Sequence, residues 1–396
     1  MDSIVTSEPR RRWLAIGTSS DASPRRAGTV AAGEALAGTD AKLLIVFASH
    51  GYDMPELVAG IHERSGGGVP LIGCSTAGEI ATGGPRDGSV AVVALGGPGF
   101  TVSTGVARES SRRLRAAGSE AAACVPTRRT APHAVLMLLT AGLGGDQQEI
   151  VRGAHAVAGA AVPLVGGCAG DDLRMDSTCQ VHGHEVLRDA VVAAHIASDA
   201  PLGIGVHHGW RKLGEPVLVT RSFGNRVYTL DERPALDVYL DRLEAPRAAH
   251  SEAAAFTRFA LTHPLGLSRR GAEARVRFVG EADFIERWLG CIAAVPQGAL
   301  AWFMEGDHDS VLHASDAACQ EALAPLGEAP PLGLIVFDCI ARRGVLGDAG
   351  IKTEIDRIAR GARGAPVAGF YTYGEIARTR GVSGFHNQTL VALAVG

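Results

Sequence analysis

The chain has 396 residues, of which 46% are apolar and 20% charged, with a net charge of −4 and an isoelectric point near 6.4. This length and composition predict two or three globular domains, and the acidic balance excludes an electrostatic case for nucleic-acid binding. The seven cysteines are odd in number and sparse, which favours free thiols in a reducing compartment. No signal-peptide pattern opens the chain and no apolar run approaches about 20 residues, so we expect a cytoplasmic protein without a membrane span.

A pattern of eleven residues occurs three times and aligns without a gap. Each copy begins with Pro, has Gly at its fourth position and carries a carboxylate near its end. The copies are Pro70–Ile80, Pro163–Leu173 and Pro366–Ile376, with aligned carboxylates Glu79, Asp172 and Glu375. Internal repetition of this kind predicts a duplicated structural unit.

Each copy is preceded by a short aliphatic run, typical of a buried strand, and then by a helix. The runs are Lys42–Phe47, His133–Leu139 and Leu332–Phe337. Asp53 and Asp146 are placed to cap the first two helices, and the third helix is predicted at about Gly350 to Arg360. A further strand follows each copy, at Ser89–Leu95, Ala190–Ile196 and Leu390–Val395. The pattern predicts an α/β fold of repeated strand–helix–strand modules, with parallel strands in mixed sheets and two domains.

A different stretch separates the second and third copies. Its predicted elements are strands at Val217–Thr220, Arg226–Leu230 and Ala299–Met304, a helix from Pro234 to about Leu243, and a helix at Asp316–Leu323. We therefore place a first domain with two units at residues 13–202. A second domain, with the inserted hairpin and helices and the third unit, occupies residues 203–396.

The repeated loops are the candidate ligand site. Parallel strands that end in glycines and small polar residues are where α/β proteins bind ligands, and the N–H groups of such turns bind anions. Converging loops would suit a zwitterion such as an amino acid; alternatively, the Gly and acidic residues are turn chemistry copied with the unit. The candidate ligand-binding residues are Cys74, Ser75, Thr76, Glu79, Gly167, Asp171, Asp172, Cys339, Arg342, Tyr371, Tyr373, Glu375 and Asn387.

Two cysteines raise the alternative of a Cys-dependent acyl hydrolase or transferase. Cys74 lies in a segment similar to a nucleophile elbow, but the Gly-x-Ser-x-Gly spacing is missed by one residue. Cys339 is followed by Arg342, whose guanidinium would either lower the pKa of the thiol or bind a ligand carboxylate. Buried, inert thiols are the simpler interpretation, and we expect a protein without enzymatic activity.

Histidines supply a third alternative, a haem-based sensor. One histidine in an apolar pocket is enough to hold a haem iron, and the candidates are His207, His208, His263 and His386. A lone histidine is more often a hydrogen-bonded structural residue. Neither C-x-x-C nor H-E-x-x-H occurs in the sequence, so no metal site is predicted.

Several of these segments resemble the motifs of the FIST family. The segments similar to the FIST N domain are Val69–Ile80 and Gly166–Asp172. The segments similar to the FIST C domain are Gly205–Trp210, His263–Leu267, Asp338–Arg342, Gly369–Ala377 and Phe385–Thr389. The resemblance implies a sensory input module that binds small ligands such as amino acids. One branch of the family, similar to this chain in length, implies instead haem binding, nitric oxide sensing and control of a histidine kinase.

The sequence therefore predicts a small-molecule signal-transduction protein that binds an amino-acid-like metabolite without a cofactor. No kinase, cyclase or methyl-accepting segment follows Gly396, so we expect the output to pass through a separate partner such as a histidine kinase. Neither nucleic acid nor a membrane is expected as a partner.

Overall fold

The structure, a computed structural model, describes residues 11–129, 131–268, 275–379, 381 and 384–396. These residues form eight α-helices and four sheets, which confirms the predicted mixed α/β fold. Three sheets belong to three similar units, and the fourth belongs to an insertion in the third unit. Among the helices in these ranges, none combines the length and the hydropathy that a membrane crossing requires.

The first two units share one order of elements: strand, helix, strand, helix, strand, a short hairpin and a final strand. The first unit comprises β1 (Trp13–Ser19), α1 (Pro24–Ala35), β2 (Ala41–Ser49), α2 (Met54–Ser65), β3 (Leu71–Thr76), β4 (Glu79–Ala81), β5 (Gly84–Arg86) and β6 (Val90–Gly96). The second comprises β7 (Phe100–Arg108), α3 (Leu114–Ala121), β8 (His133–Thr140), α4 (Gln147–Ala158), β9 (Leu164–Cys168), β10 (Cys179–His182), β11 (Glu185–Arg188) and β12 (Ala190–Ser198).

The third unit has the same order, with the insertion placed after its first strand, β13 (Leu202–His207). The insertion comprises β14 (Arg211–Phe223), β15 (Arg226–Leu230), β16 (Arg233–Pro234), α5 (Ala235–Arg242), α6 (Ala253–Ala260), β17 (Leu265–Leu267), β18 (Arg275–Arg277), β19 (Val279–Ala282), β20 (Leu289–Cys291) and β21 (Leu300–Glu305). The unit continues with α7 (His308–Leu323), β22 (Gly333–Cys339), α8 (Ile340–Gly361), β23 (Val367–Thr372), β24 (Glu375–Arg378), β25 (Phe385–His386) and β26 (Leu390–Val395).

Each predicted strand–helix–strand module is confirmed as a parallel pair. The pairs are β2 with β3, β8 with β9, and β22 with β23. The final strand of each unit lies antiparallel beside the first member of the pair. Aliphatic strands therefore occupy the middle of each of the three unit sheets. Their side chains are buried on both faces, which is why these segments read as continuous apolar runs.

The short hairpins pass from each unit into the sheet of another unit. Hairpin β4–β5 of the first unit pairs with β23 of the third, β10–β11 of the second pairs with β3 of the first, and β24–β25 of the third pairs with β9 of the second. The exchange is cyclic, so each of the three unit sheets contains strands from two units. The units are therefore joined by backbone hydrogen bonds as well as by side-chain packing.

A common core lies where the units meet. Phe47 of the first unit packs against Phe337 and Phe370 of the third, with ring centroids 4.8 to 6.3 Å apart. The insertion has its own core, in which Tyr239 contacts Phe256 and Phe303. The insertion thus behaves structurally as an addition to the third unit.

Two helices begin earlier than the sequence predicts. Helix α7 starts at His308 because Asp307 and Ser310 form a reciprocal capping box there, upstream of the predicted start at Asp316. Helix α8 starts at Ile340, ten positions before the predicted Gly350, but it is broken at Gly347, where φ is 63° and ψ is 178°. Glycine tolerates this conformation, so the break separates a short first segment from the predicted helix.

The repeated glycines are required by strand pairing. A Cβ atom added at Gly369 would lie 1.8 Å from the carbonyl oxygen of Val336, and one at Gly166 would lie 1.9 Å from that of Leu138. Gly73 is similarly close to Val46. The fourth position of the repeat is therefore glycine because the neighbouring strand passes too near for any side chain.

We expect Gly369→Ala to lower the free energy of unfolding by about 3 kcal/mol or more, since the added methyl must push two paired strands apart. Gly68→Ala is the matched control, because among the described residues no atom beyond its chain neighbours lies within 4 Å of the added Cβ, and it should change stability by less than about 0.5 kcal/mol. Chemical denaturation measures both. Equal stability of the two variants would show that the close approach is not constraining.

Candidate functional site

The three repeated loops converge, and their backbones bond to one another. Ala77 N–H donates to the carbonyl of Tyr371 at 3.1 Å, and Tyr371 N–H donates to that of Gly78 at 2.9 Å. Gly170 N–H of the second loop donates to the carbonyl of Ser75 at 3.0 Å. Convergence agrees with the ligand hypothesis, but these contacts fill the centre of the junction with protein.

Two of the repeated carboxylates hold their own hairpins. Each glutamate accepts from a threonine hydroxyl three residues earlier and from the hydroxyl and N–H of the residue just before the final strand. The partners are Thr76 and Ser89 for Glu79, and Thr372 and Thr389 for Glu375. Burial raises the pKa of each glutamate to about 7, although the hydrogen bonds oppose that shift.

The third equivalent position belongs to Gln180, and the predicted alignment of Asp172 with the glutamates is wrong. Gln180 pairs with Cys74 across the exchanged hairpin, as Glu79 pairs with Phe370. Its side-chain oxygen accepts the N–H of Ala190 at 3.1 Å, at the start of the final strand. Residues 171–178 form a loop inserted before this hairpin, which a gap-free alignment cannot reveal.

Asp171 organises that inserted loop. Its carboxylate accepts from the Tyr373 hydroxyl and from the N–H groups of Met175, Asp176 and Ser177. Burial alone would raise the pKa of Asp171, but these donors hold it below its usual value. Asp171 and Tyr373 are therefore committed to each other and to the loop.

Arg342 lies in a buried charge cluster. Its guanidinium donates to Asp338 at 2.7 Å and to Glu354, and all three side chains are 0% exposed. It also donates to the Ser315 hydroxyl at 2.6 Å. Burial and the nearby Glu354 raise the pKa of Asp338 well above its usual value, which favours the protonated form of the Asp338 carboxyl group. These contacts leave Arg342 with a structural role.

The candidate thiols and hydroxyls are buried too. Burial raises the pKa of Cys74 and of Cys339 well above its usual value, which disfavours the thiolate that a nucleophile requires. The Ser75 hydroxyl donates to Gly170 at 2.8 Å and accepts from Cys179 N–H at 3.0 Å. Gly167 is packed so closely that a Cβ atom there would lie 2.7 Å from a methyl carbon of the third unit.

The four candidate histidines have local partners. His263 is stacked on Phe259 at 4.2 Å between centroids. The nitrogen contacts are His207 Nε2 to Glu321 at 3.4 Å, Trp210 N–H to His208 Nδ1 at 2.9 Å, His263 Nδ1 to Phe259 O at 2.8 Å, and His386 Nε2 to Ala377 O at 3.0 Å. All four lie in the described ranges, and none lines the large cleft beside the junction of the loops. The described residues of that cleft therefore offer no histidine as an axial haem ligand.

A cleft of about 930 Å³ lies beside the junction of the loops. Its walls come from the first unit, the inserted loop of the second, the start of α8 and the insertion. The charged and apolar residues that line it are Asp87, Asp172, Arg174, Arg343 and Asp348, with Leu173, Leu261, Phe278 and Ile340. Its volume and mixed lining are those of a small-molecule site.

An ion pair lies in the wall of this cleft. The guanidinium nitrogens Nη1 and Nη2 of Arg343 both donate to the carboxylate of Asp87, at 2.6 and 2.7 Å. The hydrogen bond from Arg343 lowers the pKa of Asp87, and the same bond raises the pKa of Arg343. Asp172 lies nearby, where burial raises the pKa of its carboxyl group and Arg174 partly opposes that shift.

Among the thirteen predicted ligand-binding residues, all of them in the described ranges, Asp172 is the one that lines the cleft. Tyr371 lies against it, with its ring centroid 5.2 Å from Arg343, and Asn387 is buried at the turn before β26. Sequence reasoning missed Asp87, Arg343 and Asp348. The sequence signal for Arg343 was its position directly after Arg342. In the described part of the chain no three His, Cys, Asp or Glu side chains cluster as metal ligands.

The two buried glutamates predict a pH dependence of stability. Their folded pKa of about 7 exceeds the ordinary value of 4.5, so the folded protein keeps protons that the unfolded chain releases. The contribution of these two glutamates to stability should therefore fall as pH rises from about 4.5 to about 7, and then level off. Glu375→Gln should flatten that fall, since Gln180 already performs the same task. Thermal melts across this range test it, with exposed Glu328→Gln as the control; an unchanged slope in Glu375→Gln would contradict the assignment.

The two consecutive arginines should differ in their effect on stability. Arg342→Gln leaves two buried carboxyl groups without their cation and should cost about 3–5 kcal/mol. Arg343→Gln removes a pair whose partner Asp87 has a side chain 61% exposed, so it should cost about 1 kcal/mol or less. Urea denaturation compares them. A larger loss in Arg343→Gln would reverse the two roles.

The chain is similar to one curated protein over a short segment and only weakly similar to two solved structures. An uncharacterized protein of Methanocaldococcus jannaschii is 32% identical over 82 residues, which is 21% of this chain and 16% of that protein. A crystal structure of chorismatase covers 99% of this chain and 100% of its own, with 12% identity and a TM-score of 0.37. The PurLQS structure from Thermotoga maritima covers 98% and 73%, with 10% identity and a TM-score of 0.23. TM-scores this low do not establish a shared fold.

The family comparison is decisive. The FIST N domain matches residues 42–233, and the FIST C domain matches residues 235–378. The predicted boundary at residue 202 stays a prediction. FIST domains are associated with sensory signal transduction and small-ligand binding. The chain belongs to the FIST family, with a FIST N domain followed by a FIST C domain.

Proposed function

We propose that this protein is a sensor that binds an amino-acid-like metabolite in the cleft beside the loop junction. The observation that carries the proposal is the cleft itself, about 930 Å³ in volume and bordered by charges of both signs and by apolar side chains. An amphoteric ligand with an apolar side chain matches that lining. The site is moved from the loop centre, where the sequence predicted it, to the neighbouring cleft.

The charged groups divide between the two ends of such a ligand. Arg343 presents a guanidinium that binds a carboxylate with two parallel hydrogen bonds. Asp172 and Asp348 line the same cleft and are suited to an ammonium group. The apolar side chains of Leu261 and Phe278 would contact the remainder of the ligand.

The walls of the cleft come from both halves of the chain, which suggests how binding could produce a signal. Ser49, Asp87 and Asp172 come from the FIST N half, and Leu261 and Arg343 from the FIST C half. A ligand that contacts both halves stabilises the arrangement in which both walls are close. We propose that this change is transmitted to a separate cytoplasmic signalling protein, such as a histidine kinase.

The proposal is for a binding protein and not an enzyme, and it needs no haem or metal. Its support is the burial of Cys74 and Cys339 and the local hydrogen bonds of the candidate histidines.

A thermal-shift screen of the full chain against the twenty amino acids tests the proposal. A ligand at one hundred times its Kd stabilises the folded state by about 2.7 kcal/mol, which raises Tm by several degrees. Asp348→Asn should weaken the response about tenfold in concentration by removing an ammonium partner. Asp356→Asn is the matched control, since Asp356 is exposed on the same helix and does not line the cleft. Absence of any shift at millimolar concentration would refute the proposal.

A further inference from the structure

The ion pair between Asp87 and Arg343 borders two cavities. Both residues and Asp348 line the cleft of about 930 Å³ and also a recess of about 300 Å³. The recess is bounded further by Gly84 and Lys352. The pair thus occupies a position that a bound molecule would contact from either side.

Arg343 has further contacts besides Asp87. Its guanidinium carbon lies 5.2 Å from the ring centroid of Tyr371, and its Nη1 nitrogen is 3.5 Å from the carbonyl oxygen of Ala77. Its side chain is only 21% exposed, and Asp348 adds a favourable charge. The guanidinium is therefore positioned by the cleft wall, and another carboxylate could use the same two hydrogen-bond donors.

Asp87, in contrast, is not required by the repeated fold. It lies in the turn before the final strand, where the residue that follows has positive φ in every unit: Gly88, Asp189 and Gln388. The residues equivalent to Asp87 are Arg188 and Asn387, so the turn forms without an acid at this position. The side chain of Asp87 is 61% exposed and is held by the Arg343 pair.

We propose that Asp87 is an internal competitor for Arg343, and that the cleft selects ligands whose carboxylate replaces the Asp87 carboxylate on that guanidinium. This exchange rests on the ligand site proposed above and specifies how it discriminates. A ligand without a carboxylate leaves the ion pair closed. A ligand with a carboxylate forms two charge-assisted hydrogen bonds to Arg343, but it must first displace the two that Asp87 makes. The strength of the Asp87 pair therefore sets the affinity for such a ligand.

The exchange also has a structural consequence. Asp87 belongs to the FIST N half and Arg343 to the FIST C half, so replacing their bond removes a direct link between the halves. Arg343 lies on the short segment Ile340–Leu346 of α8, which ends at the break at Gly347. In the described part of the chain, no atom outside the adjoining helix backbone lies within 4 Å of a Cβ added at Gly347, so that side of the break is open.

The test uses butyrate and butylamine, which share an apolar chain and differ in the head group. Asp87→Asn keeps the shape of the side chain and removes its charge, so the full-length variant should bind butyrate about fivefold more tightly than the wild type. Its affinity for butylamine should not rise. Asp356→Asn, which removes an exposed charge from the same helix outside the cleft, should change butyrate affinity by less than about twofold. Saturation-transfer NMR titrations measure all of these affinities.

The double variant Asp87→Asn/Arg343→Gln should lose the increase in butyrate affinity that Asp87→Asn alone produces. The inference is overturned if Asp87→Asn and Asp356→Asn behave alike, or if the tighter butyrate binding survives in the double variant. Should Asp87→Asn fail to fold, ¹³C NMR of the wild-type Asp87 carboxyl decides: its pKa must rise on saturation with butyrate, and an unchanged pKa rejects the exchange. The two proposals are tested by different measurements. A wild type that responds to no amino acid refutes the proposed amino-acid sensor. The butyrate affinities of the wild type and Asp87→Asn test the carboxylate exchange on Arg343.

Discussion

Strands β3, β9 and β23 carry the repeated glycines. Each is hydrogen-bonded on one side to a strand of its own unit and on the other to a hairpin from a different unit. That double pairing is the constraint on which the rest of the structure depends. The parallel pair within each unit places the partner strand too close to Gly73, Gly166 and Gly369 for any side chain. The hairpins from neighbouring units bring the loops together, and the cleft lies beside them.

Buried polar groups secure that pairing. Glu79 and Glu375 occupy equivalent places on their hairpins, and Gln180 occupies the third. A buried carboxylate is costly unless it is hydrogen-bonded, and each glutamate is fully supplied with donors from its own turn and from the start of the next strand. A neutral amide at Gln180 shows that the position requires an acceptor and not a charge.

The local structure was largely predictable, because aliphatic runs, glycine loops and capping aspartates are signals carried by adjacent residues. The parallel pairs and the final strands were predicted correctly for this reason. The hairpin exchange was not predicted, since a three-residue strand such as Glu79–Ala81 is too short to show periodicity. Asp172 was aligned with the glutamates because a gap-free comparison cannot register the inserted loop.

The site was less predictable than the fold. Arg342 and Arg343 are adjacent in sequence, yet one is enclosed by Asp338 and Glu354 and the other faces the cleft. Which of two neighbouring side chains points inward depends on where the helix begins and what packs on it, and neither is encoded locally. Asp87 gave no signal, because its partner is 256 positions away.

The cyclic hairpin exchange also governs the order in which the molecule can be completed during synthesis. Hairpin β4–β5 is made early, but Thr82 meets its partner Val367 across 285 positions of chain. Strand β9 likewise waits for β24, so the nascent second sheet has an open edge while the ribosome is still making the insertion. An uncovered edge of this kind favours pairing between neighbouring chains until β24 has been made.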